Sequence, residues 1–108
     1  MLLRVAAVAA VLLAGAAWAA EAPRYDVEAH CNKIAVSGGT VSKAVLSGCF
    51  KREQRAYDAV KAGWAAVPEQ ARAHCDKIAS MGGTGSYGIL KSCLDREAKA
   101  GTTPGFKY

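Results

Sequence analysis

Charged residues are scarce in this chain, making up 21% of its 108 residues against 52% that are apolar. This balance excludes an intrinsically disordered tail, in which charged and polar residues dominate. Beyond the N-terminus, no apolar run approaches the roughly 18 residues that a membrane-spanning helix requires. The length leaves room for one small domain, and a chain this short buries too little surface for a large catalytic cleft.

Several motifs of enzymes and cofactor-binding proteins are missing as well. The sequence contains no Cys-x-x-Cys motif and no set of Ser, His and Asp residues that suggests a nucleophilic triad. Its Gly-Gly-Thr segments lack the spacing of a phosphate-binding loop, and no aromatic platform for stacking nucleic-acid bases is recognisable. We therefore expect a protein that is not an enzyme, has no cofactor and binds no nucleic acid.

Residues 1–19 have the features of a signal peptide. Arg4 precedes an apolar stretch, and small residues occupy positions −3 and −1 of a cut after Ala19, whereas a cut one residue later would place Trp18 at −3. An uncleaved N-terminal anchor is the alternative, for which the apolar run is short. We expect a periplasmic or secreted chain of residues 20–108, whose net charge falls from +5 to +4 because Arg4 is the one charged residue removed.

The remainder of the chain contains one motif twice, at an offset of 44 residues. His-Cys-Asn-Lys-Ile-Ala at 30–35 matches His-Cys-Asp-Lys-Ile-Ala at 74–79, and each is followed by Gly-Gly-Thr, Ser, Leu, Cys and Glu at matching positions. A repeat of this length indicates one supersecondary unit used twice. We expect a single helical domain of two repeats, about 24–66 and 67–100, with a flexible C-terminal tail over 101–108.

Each unit is predicted to be a helical hairpin. Apolar residues before each Gly-Gly pair fall at helical spacing, and β-alternation is absent throughout. Pro23 and Pro68 lie near the helix starts, where a missing N–H is tolerated, and the Gly-Gly pairs suit helix C-termini. A hydroxyl after each Gly-Gly pair is expected to cap the next helix. The candidate caps are Thr40 or Ser42 in the first unit and Thr84 or Ser86 in the second.

The second helix of the first unit is expected to be long, from about Ser42 to Val67. Such a helix would extend past its own hairpin and offer the second hairpin a surface to pack on. Trp64 lies outside the matched positions and has two interpretations. In the first it packs at the junction with Tyr57 and Val60, and in the second it is an exposed anchor for a partner protein.

The four cysteines predict two disulfides, because the chain is short and is expected to reach an oxidising compartment. Residues equidistant from a hairpin turn lie opposite each other, at the same height on the two helices. The cysteines of each unit lie nine residues on either side of its Gly-Gly-Thr threonine, which predicts the pairs Cys31–Cys49 and Cys75–Cys93. Each closed loop contributes on the order of 3 kcal/mol. The predicted fold is all-α, with two tandem disulfide-stapled helical hairpins and four helices.

The repeated His-Cys dipeptides suggest metal ligands. His30 and His74, with the four cysteines, would form a soft donor set for zinc or copper. However, neighbouring helical residues point about 100° apart, the cysteine spacing matches no common zinc pattern, and oxidation removes the thiolates. We expect no metal site, with His30 and His74 as weak candidates. A periplasmic metal or thiol-redox carrier that uses the His-Cys pairs is the alternative function.

The densest basic segment contains Lys51, Arg52 and Arg55, with Lys61 further along the same helix. Cations on an exported protein can bind anionic membrane lipids or cell-wall polymers, although such a segment is also typical of a solvated helix face. We predict that Lys51, Arg52, Arg55 and Trp64 bind a partner. The function predicted on this basis is an exported non-enzymatic binding or interaction module of the cell envelope, with an envelope component or a protein as its partner.

The twice-written pattern Cys…Gly-Gly-Thr-x-Ser…Leu-x-x-Cys-x-x-x-Glu resembles small exported helical Cys-repeat proteins of proteobacteria, most of them without an assigned function. This resemblance covers nearly all of residues 20–108. The stretch 49–75 is also similar to the LprI-type domain of lysozyme inhibitors, another small cysteine-bearing helical module. That similarity implies a lysozyme-inhibitor-like envelope protection factor as a further alternative. Lysozymes are typically basic, so a net charge of +4 would oppose the encounter.

Overall fold

The computed structural model describes residues 21–37, 39–101 and 105–108 and has the predicted all-α architecture. Its elements are α1 (Val27–Ala35), β1 (Val36–Ser37), β2 (Thr40–Val41), α2 (Lys43–Gly63), a 3-10 turn (Trp64–Ala66), α3 (Glu69–Ala79) and α4 (Tyr87–Ala100). In this described part, no helix has the length and apolar composition needed to cross a membrane. The predicted signal peptide and the stretch 102–104 of the predicted tail lie outside the described residues.

A disulfide closes each hairpin, and both pairs are the predicted ones. Cys31 is bonded to Cys49 with a Cα–Cα distance of 5.6 Å, and Cys75 to Cys93 with a distance of 5.5 Å. All four cysteines are buried and none is left as a free thiol. The prediction of two tandem disulfide-stapled helical hairpins is confirmed.

The turn of the first hairpin differs from the predicted glycine-capped helix end. After α1 the chain forms a two-residue antiparallel ribbon, in which Val36 lies opposite Val41 and Ser37 opposite Thr40. β-branched residues beside a Gly-Gly pair favour this extended pairing over a glycine-capped helix end. Gly39 has a φ of +84° and so belongs to the turn of the ribbon.

Side-chain caps define where the helices begin. Ser42 and Ser86 accept hydrogen bonds of 3.3 Å from the backbone N–H three residues further on, which decides both predicted alternatives in favour of serine. Asp26 caps α1 in the same way at 3.0 Å, a cap that the sequence analysis missed. Pro68 occupies the cap position of α3, where the absence of an N–H is harmless.

The long helix predicted to reach Val67 ends earlier, at Gly63. Glycine has a low helix propensity, and the chain continues from it as a 3-10 turn that begins at Trp64. The Val67 N–H then donates to the Trp64 carbonyl at 3.1 Å, which closes the turn before α3. The expected projection of α2 beyond its own hairpin is retained.

The principal core lies where α4 packs against both α3 and the second half of α2. It contains the buried residues Ala56, Val60, Trp64, Cys75, Ala79, Tyr87, Leu90 and Cys93. Trp64 is only 5% exposed, so its prediction as an exposed partner anchor is wrong and its interpretation as a junction residue is correct. Cys31, Cys49 and Ala35 are buried outside this cluster, within the first hairpin.

An N-terminal segment, residues 21–26, packs across the second hairpin. The Tyr25 hydroxyl donates to Asp76 Oδ1 at 2.6 Å, and the Tyr87 hydroxyl donates to the Pro23 carbonyl at 2.7 Å. The Tyr87 oxygen also accepts from the Tyr25 backbone N–H at 3.0 Å. These bonds connect the segment before α1 to helices that follow it by 50 residues or more, which no local sequence pattern predicts.

The Tyr25 ring lies directly over Gly85, and this close approach predicts an unequal effect of two similar substitutions. Gly83 and Gly85 both have positive φ angles, +91° and +82°, but a Cβ at Gly85 would collide with the Tyr25 ring whereas one at Gly83 would meet nothing. We expect Gly83→Ala to destabilise the fold by about 1 kcal/mol through backbone strain alone. Gly85→Ala should cost about 2–3 kcal/mol because overpacking is added to that strain.

Urea unfolding of the two variants measures this difference directly. Gly83→Ala serves as the control, since it imposes the same backbone strain without the collision. Equal losses of stability in the two variants would contradict the tight packing of Tyr25 on the second hairpin.

Candidate functional site

A groove lies between the N-terminal segment, the middle of α2 and the start of α4. Its volume is about 440 Å³. We call it the tyrosine groove; its lining residues are Arg24, Tyr25, Val27, Phe50, Glu53, Gln54, Tyr57 and Tyr87. Four of these eight residues are aromatic, in a chain whose overall aromatic content is 7%. The groove therefore collects much of the chain's aromatic surface on one side of the molecule.

The three tyrosines form a continuous aromatic wall. The Tyr87 ring centre lies 4.7 Å from that of Tyr25 and 4.8 Å from that of Tyr57, with tilted ring planes in both pairs. Such tilted contacts are favourable arrangements for aromatic rings. Tyr87 is buried while Tyr25, Tyr57 and Phe50 are partly exposed, so the wall has a fixed inner ring and accessible outer rings.

Burial raises the pKa of the Tyr87 hydroxyl above its ordinary value. Burial, followed by the hydrogen bond to Asp76, raises the pKa of Tyr25 further still. Both hydroxyls therefore stay protonated over the physiological range and act as donors within the fold. The bonds that they donate to Pro23 and Asp76 hold the rings in place along one side of the groove.

Glu53 forms the polar end of the groove and is 6% exposed. Its carboxylate accepts from the Tyr87 backbone N–H at 2.6 Å, from the Ser86 hydroxyl at 2.9 Å and from the Gly88 N–H at 3.4 Å. These donors are the first groups of α4, so a side chain of the first hairpin caps a helix of the second. The positive end of the helix dipole favours the negative charge there.

Each predicted histidine lies beside a glutamate, in the same relation in both repeats. His30 Nε2 is 3.6 Å from Glu53 Oε1, and His74 Nε2 is 3.7 Å from Glu97 Oε1. His74 lies 44 positions after His30, and Glu97 lies 44 positions after Glu53, which is the offset of the repeat. Over the described ranges, no three or more His, Cys, Asp or Glu side chains converge as metal ligands would. The carrier alternative would require thiolates, which the disulfides occupy.

Ser86, Glu53 and His30 meet in one cluster, but their order differs from that of a nucleophilic triad. In a triad the imidazole lies between the hydroxyl and the acid, so that it can take the hydroxyl proton. Here the carboxylate lies between them, bonded to the Ser86 hydroxyl and 3.6 Å from His30. The hydroxyl also accepts from the Ile89 N–H as the cap of α4. This arrangement suits a structural support for the groove.

The predicted basic residues lie on the same turns of α2 as the groove residues but on a different face of the helix. Lys51, Arg52 and Arg55 are exposed, and none of them lines the tyrosine groove. The groove residues of the same helix are Phe50, Glu53, Gln54 and Tyr57, which the sequence analysis did not select as a site. Their spacing of i, i+3, i+4 and i+7 places them on one helix face, a signal that the sequence already contains.

A second hollow, of about 450 Å³, lies between the end of α2, the start of α3 and the end of α4. It is lined mainly by small and aliphatic residues, among them Val67, Leu94 and Ala98, with Glu97 as its charged member. Binding sites combine an apolar surface with a few convergent polar groups that fix orientation. The tyrosine groove has that combination and is the stronger candidate.

No protein-family model, curated protein or solved structure gives a significant match to this chain. The resemblances to exported Cys-repeat proteins and to the LprI-type domain therefore stay predictions. Because no relative supplies a functional residue, the function has to be argued from the groove itself.

Proposed function

We propose that the protein is an exported, non-enzymatic binding module of the cell envelope that recognises a partner protein through the tyrosine groove. Two closed disulfides are typical of a chain that folds in an oxidising compartment, which supports export. Buried cysteines at the centre of both hairpins make the disulfides part of the core, so the module depends on that environment. The predicted signal peptide would direct the chain to that compartment.

The aromatic wall is the observation that best supports a binding role. Tyr and Arg are enriched in the residues that dominate protein interfaces, because they offer a large rigid contact area together with a polar group. Tyr25 and Tyr57 are held on either side of Tyr87 by ring contacts, so little side-chain entropy remains to be lost on binding. A partly exposed Phe50 extends the apolar surface.

The charges of the groove indicate which part of a partner it fits. Arg24 is exposed and has no ion pair with any of the residues described, whereas the Glu53 carboxylate is already occupied by the donors of α4. Of the two charged residues that line the groove, Arg24 is therefore the one available to a ligand. We infer that the bound segment inserts an aliphatic or aromatic side chain against the tyrosines and places a carboxylate near Arg24.

Site-specific photo-cross-linking tests this proposal in the native envelope. A photoreactive residue at Gln54, which lines the groove, should cross-link one defined envelope protein. The same probe at the adjacent Arg55, which is exposed outside the groove, should not. Arg24→Ala should reduce the Gln54 cross-link by about fivefold or more, because arginine is enriched among the interface residues whose removal costs over about 1 kcal/mol.

The Arg55 probe is a control for exposure and helix position, since both residues belong to the same turn of α2. Equal cross-linking from the two positions would contradict the groove as the binding site and favour the basic face predicted from the sequence. Turnover of any bound substance by the purified, oxidised protein would contradict the non-enzymatic role.

A further inference from the structure

The end of the first hairpin exposes four aliphatic side chains. Ile34, Val36, Val41 and Val45 are each between 41% and 47% exposed, and together we call them the apolar tip. Val36 and Val41 are direct partners in the ribbon, so their side chains lie on the same face of it. Ile34 lies in the last turn of α1 and Val45 in the first turn of α2, within one turn of the ribbon on either side.

The second hairpin shows that these valines are not required for closing a hairpin. At the repeat offset of 44, Val36 and Val41 correspond to Ser80 and Gly85. That hairpin has the same disulfide spacing and nearly the same Cα–Cα distance at its bridge, 5.5 Å against 5.6 Å. The two exposed valines are therefore not needed to form the hairpin, because the equivalent positions of the second hairpin are a serine and a glycine.

Charge distinguishes the two hairpins in the same way. Residues 29–52 contain no Asp or Glu and four basic residues, whereas the matching stretch 73–96 contains two acidic and three basic ones. The four basic residues of the first stretch are exposed, namely Lys33, Lys43, Lys51 and Arg52. Lys33 and Lys43 lie next to the residues of the apolar tip in the sequence or within two positions of them. The tip is thus apolar and free of acidic residues, and two exposed lysines lie beside it in the sequence, of which Lys33 also donates to the Gly82 carbonyl at 3.4 Å.

We propose that the apolar tip docks the protein to an anionic lipid surface. Aliphatic side chains at the tip would enter the interface between headgroups and acyl chains, while Lys33 and Lys43 contact lipid phosphates. A protein partner is less favoured because the tip has neither the aromatic residues nor the mixed charges of an interface core. The tyrosine groove does not include any residue of the tip, so membrane docking and partner binding use separate surfaces.

Co-sedimentation with lipid vesicles tests the proposal on the oxidised protein without its predicted signal peptide. Vesicles containing phosphatidylglycerol should bind it, and vesicles of phosphatidylcholine alone should bind it at least tenfold more weakly, since each basic residue near an anionic surface contributes about fivefold. The double variant Val36→Ser, Val41→Thr should reduce partitioning to anionic vesicles by about tenfold. Lys33→Gln with Lys43→Gln should reduce partitioning by about twentyfold, because two such basic contributions are lost, and should weaken the salt dependence.

The repeat offers a matched control. Val45 and Ile89 occupy equivalent positions in the first turns of α2 and α4 and are 41% and 45% exposed. Val45→Ser should weaken vesicle binding about fivefold, whereas Ile89→Ser should leave it unchanged. The variants and the unsubstituted protein have the same N-terminus, so differences in their vesicle binding are caused by the substituted side chains.

Three results would overturn membrane docking. One is the absence of binding to anionic vesicles, and another is an equal loss of binding from Val45→Ser and Ile89→Ser. The third is dimer formation by a protein that does not bind vesicles, with the double variant Val36→Ser, Val41→Thr being monomeric. The tip would then be an interface between two copies of the chain.

Discussion

Replacement of both Cys75 and Cys93 with alanine is expected to destabilise the protein by about 4–5 kcal/mol, enough to unfold most of a domain of this size. The disulfide closes a loop with a sequence separation of 18, for which chain-entropy models give about 3 kcal/mol. The remainder comes from packing, because both sulfur atoms belong to the principal core beside Leu90, which is fully buried.

The first disulfide provides the matched control. Cys31–Cys49 has the same sequence separation of 18 but lies outside the principal core. In the double variant Cys31→Ala, Cys49→Ala, loop closure should account for about 3 kcal/mol, and the loss of the two buried sulfur atoms should add less than it does in the principal core. Mainly α1 and its turn should loosen. Trp64 lies in the principal core, so its fluorescence separates the two outcomes. It should report early unfolding in the Cys75 and Cys93 variant and near-normal packing in the other.

Urea titrations followed by Trp64 fluorescence and by far-ultraviolet circular dichroism measure both effects. If the free energy of unfolding falls by the same amount in both variants, the packing of Cys75 and Cys93 in the principal core contributes no extra stability beyond the closure of the loop. If the Cys31 and Cys49 variant loses Trp64 packing at the same urea concentration as helicity, the first hairpin does not unfold separately from the core.

The fold could be predicted well because its main determinants are local or symmetric in the sequence. The disulfide pairing followed from the equal distance of Cys31 and Cys49 from their turn, and that rule depends only on helix geometry. The serine caps were among the predicted alternatives because a hydroxyl before an apolar-periodic segment is a local signal. The junction position of Trp64 was one of the two interpretations of a residue that lies outside the matched positions of the repeats.

The differences from the prediction come from competition between local preferences. Gly-Gly after a helix suits both a helix end and a tight ribbon turn, and neighbouring β-branched Val36 and Val41 decided in favour of the ribbon. In the second unit, Ser80 and Gly85 supply no such preference, and the described residues there contain no strand. The early end of α2 at Gly63 has the same origin, a weak propensity at one residue.

The candidate site was harder to predict because it is built from contacts between distant segments. Tyr25 reaches the groove through bonds to residues 51 and 62 positions away, and Glu53 reaches α4 across more than 30 positions. A periodic face on α2 indicates that Phe50, Glu53, Gln54 and Tyr57 lie together, but not what they face. The basic segment was selected instead because charge is visible in the sequence and tertiary packing is not.

Glu53 and Glu97 provide the sharpest comparison between the two repeats, since they occupy equivalent positions and lie beside equivalent histidines at 3.6 and 3.7 Å. Glu53 is buried against the start of α4, whereas the Glu97 side chain is 44% exposed. We expect Glu53→Ala to destabilise the protein by about 3–4 kcal/mol. It leaves the Tyr87 N–H and the Ser86 hydroxyl without their charged acceptor in a buried position, and each such bond contributes about 1.5–3 kcal/mol.

The equivalent substitution Glu97→Ala should change stability by no more than about 0.5 kcal/mol, as is usual for a side chain that is largely exposed to solvent. Glu53→Gln should fall between them, at about 1–2 kcal/mol, because the amide keeps one oxygen as an acceptor but loses the charge that the start of α4 favours. Urea unfolding gives the ranking of the three variants. Amide hydrogen exchange at Tyr87 and Gly88 locates the effect, since both N–H groups donate to Glu53.

A loss of exchange protection confined to the start of α4 in Glu53→Gln, with the rest of the core unchanged, would identify Glu53 as the link between the two hairpins. The same carboxylate lies at the end of the tyrosine groove, so this variant should also reduce the cross-link from Gln54 while the protein stays folded. Equal destabilisation by Glu97→Ala would instead mean that the His-Glu pair contributes the stability, because that pair is what the two repeats share. Glu53 would then have no special role in positioning the groove.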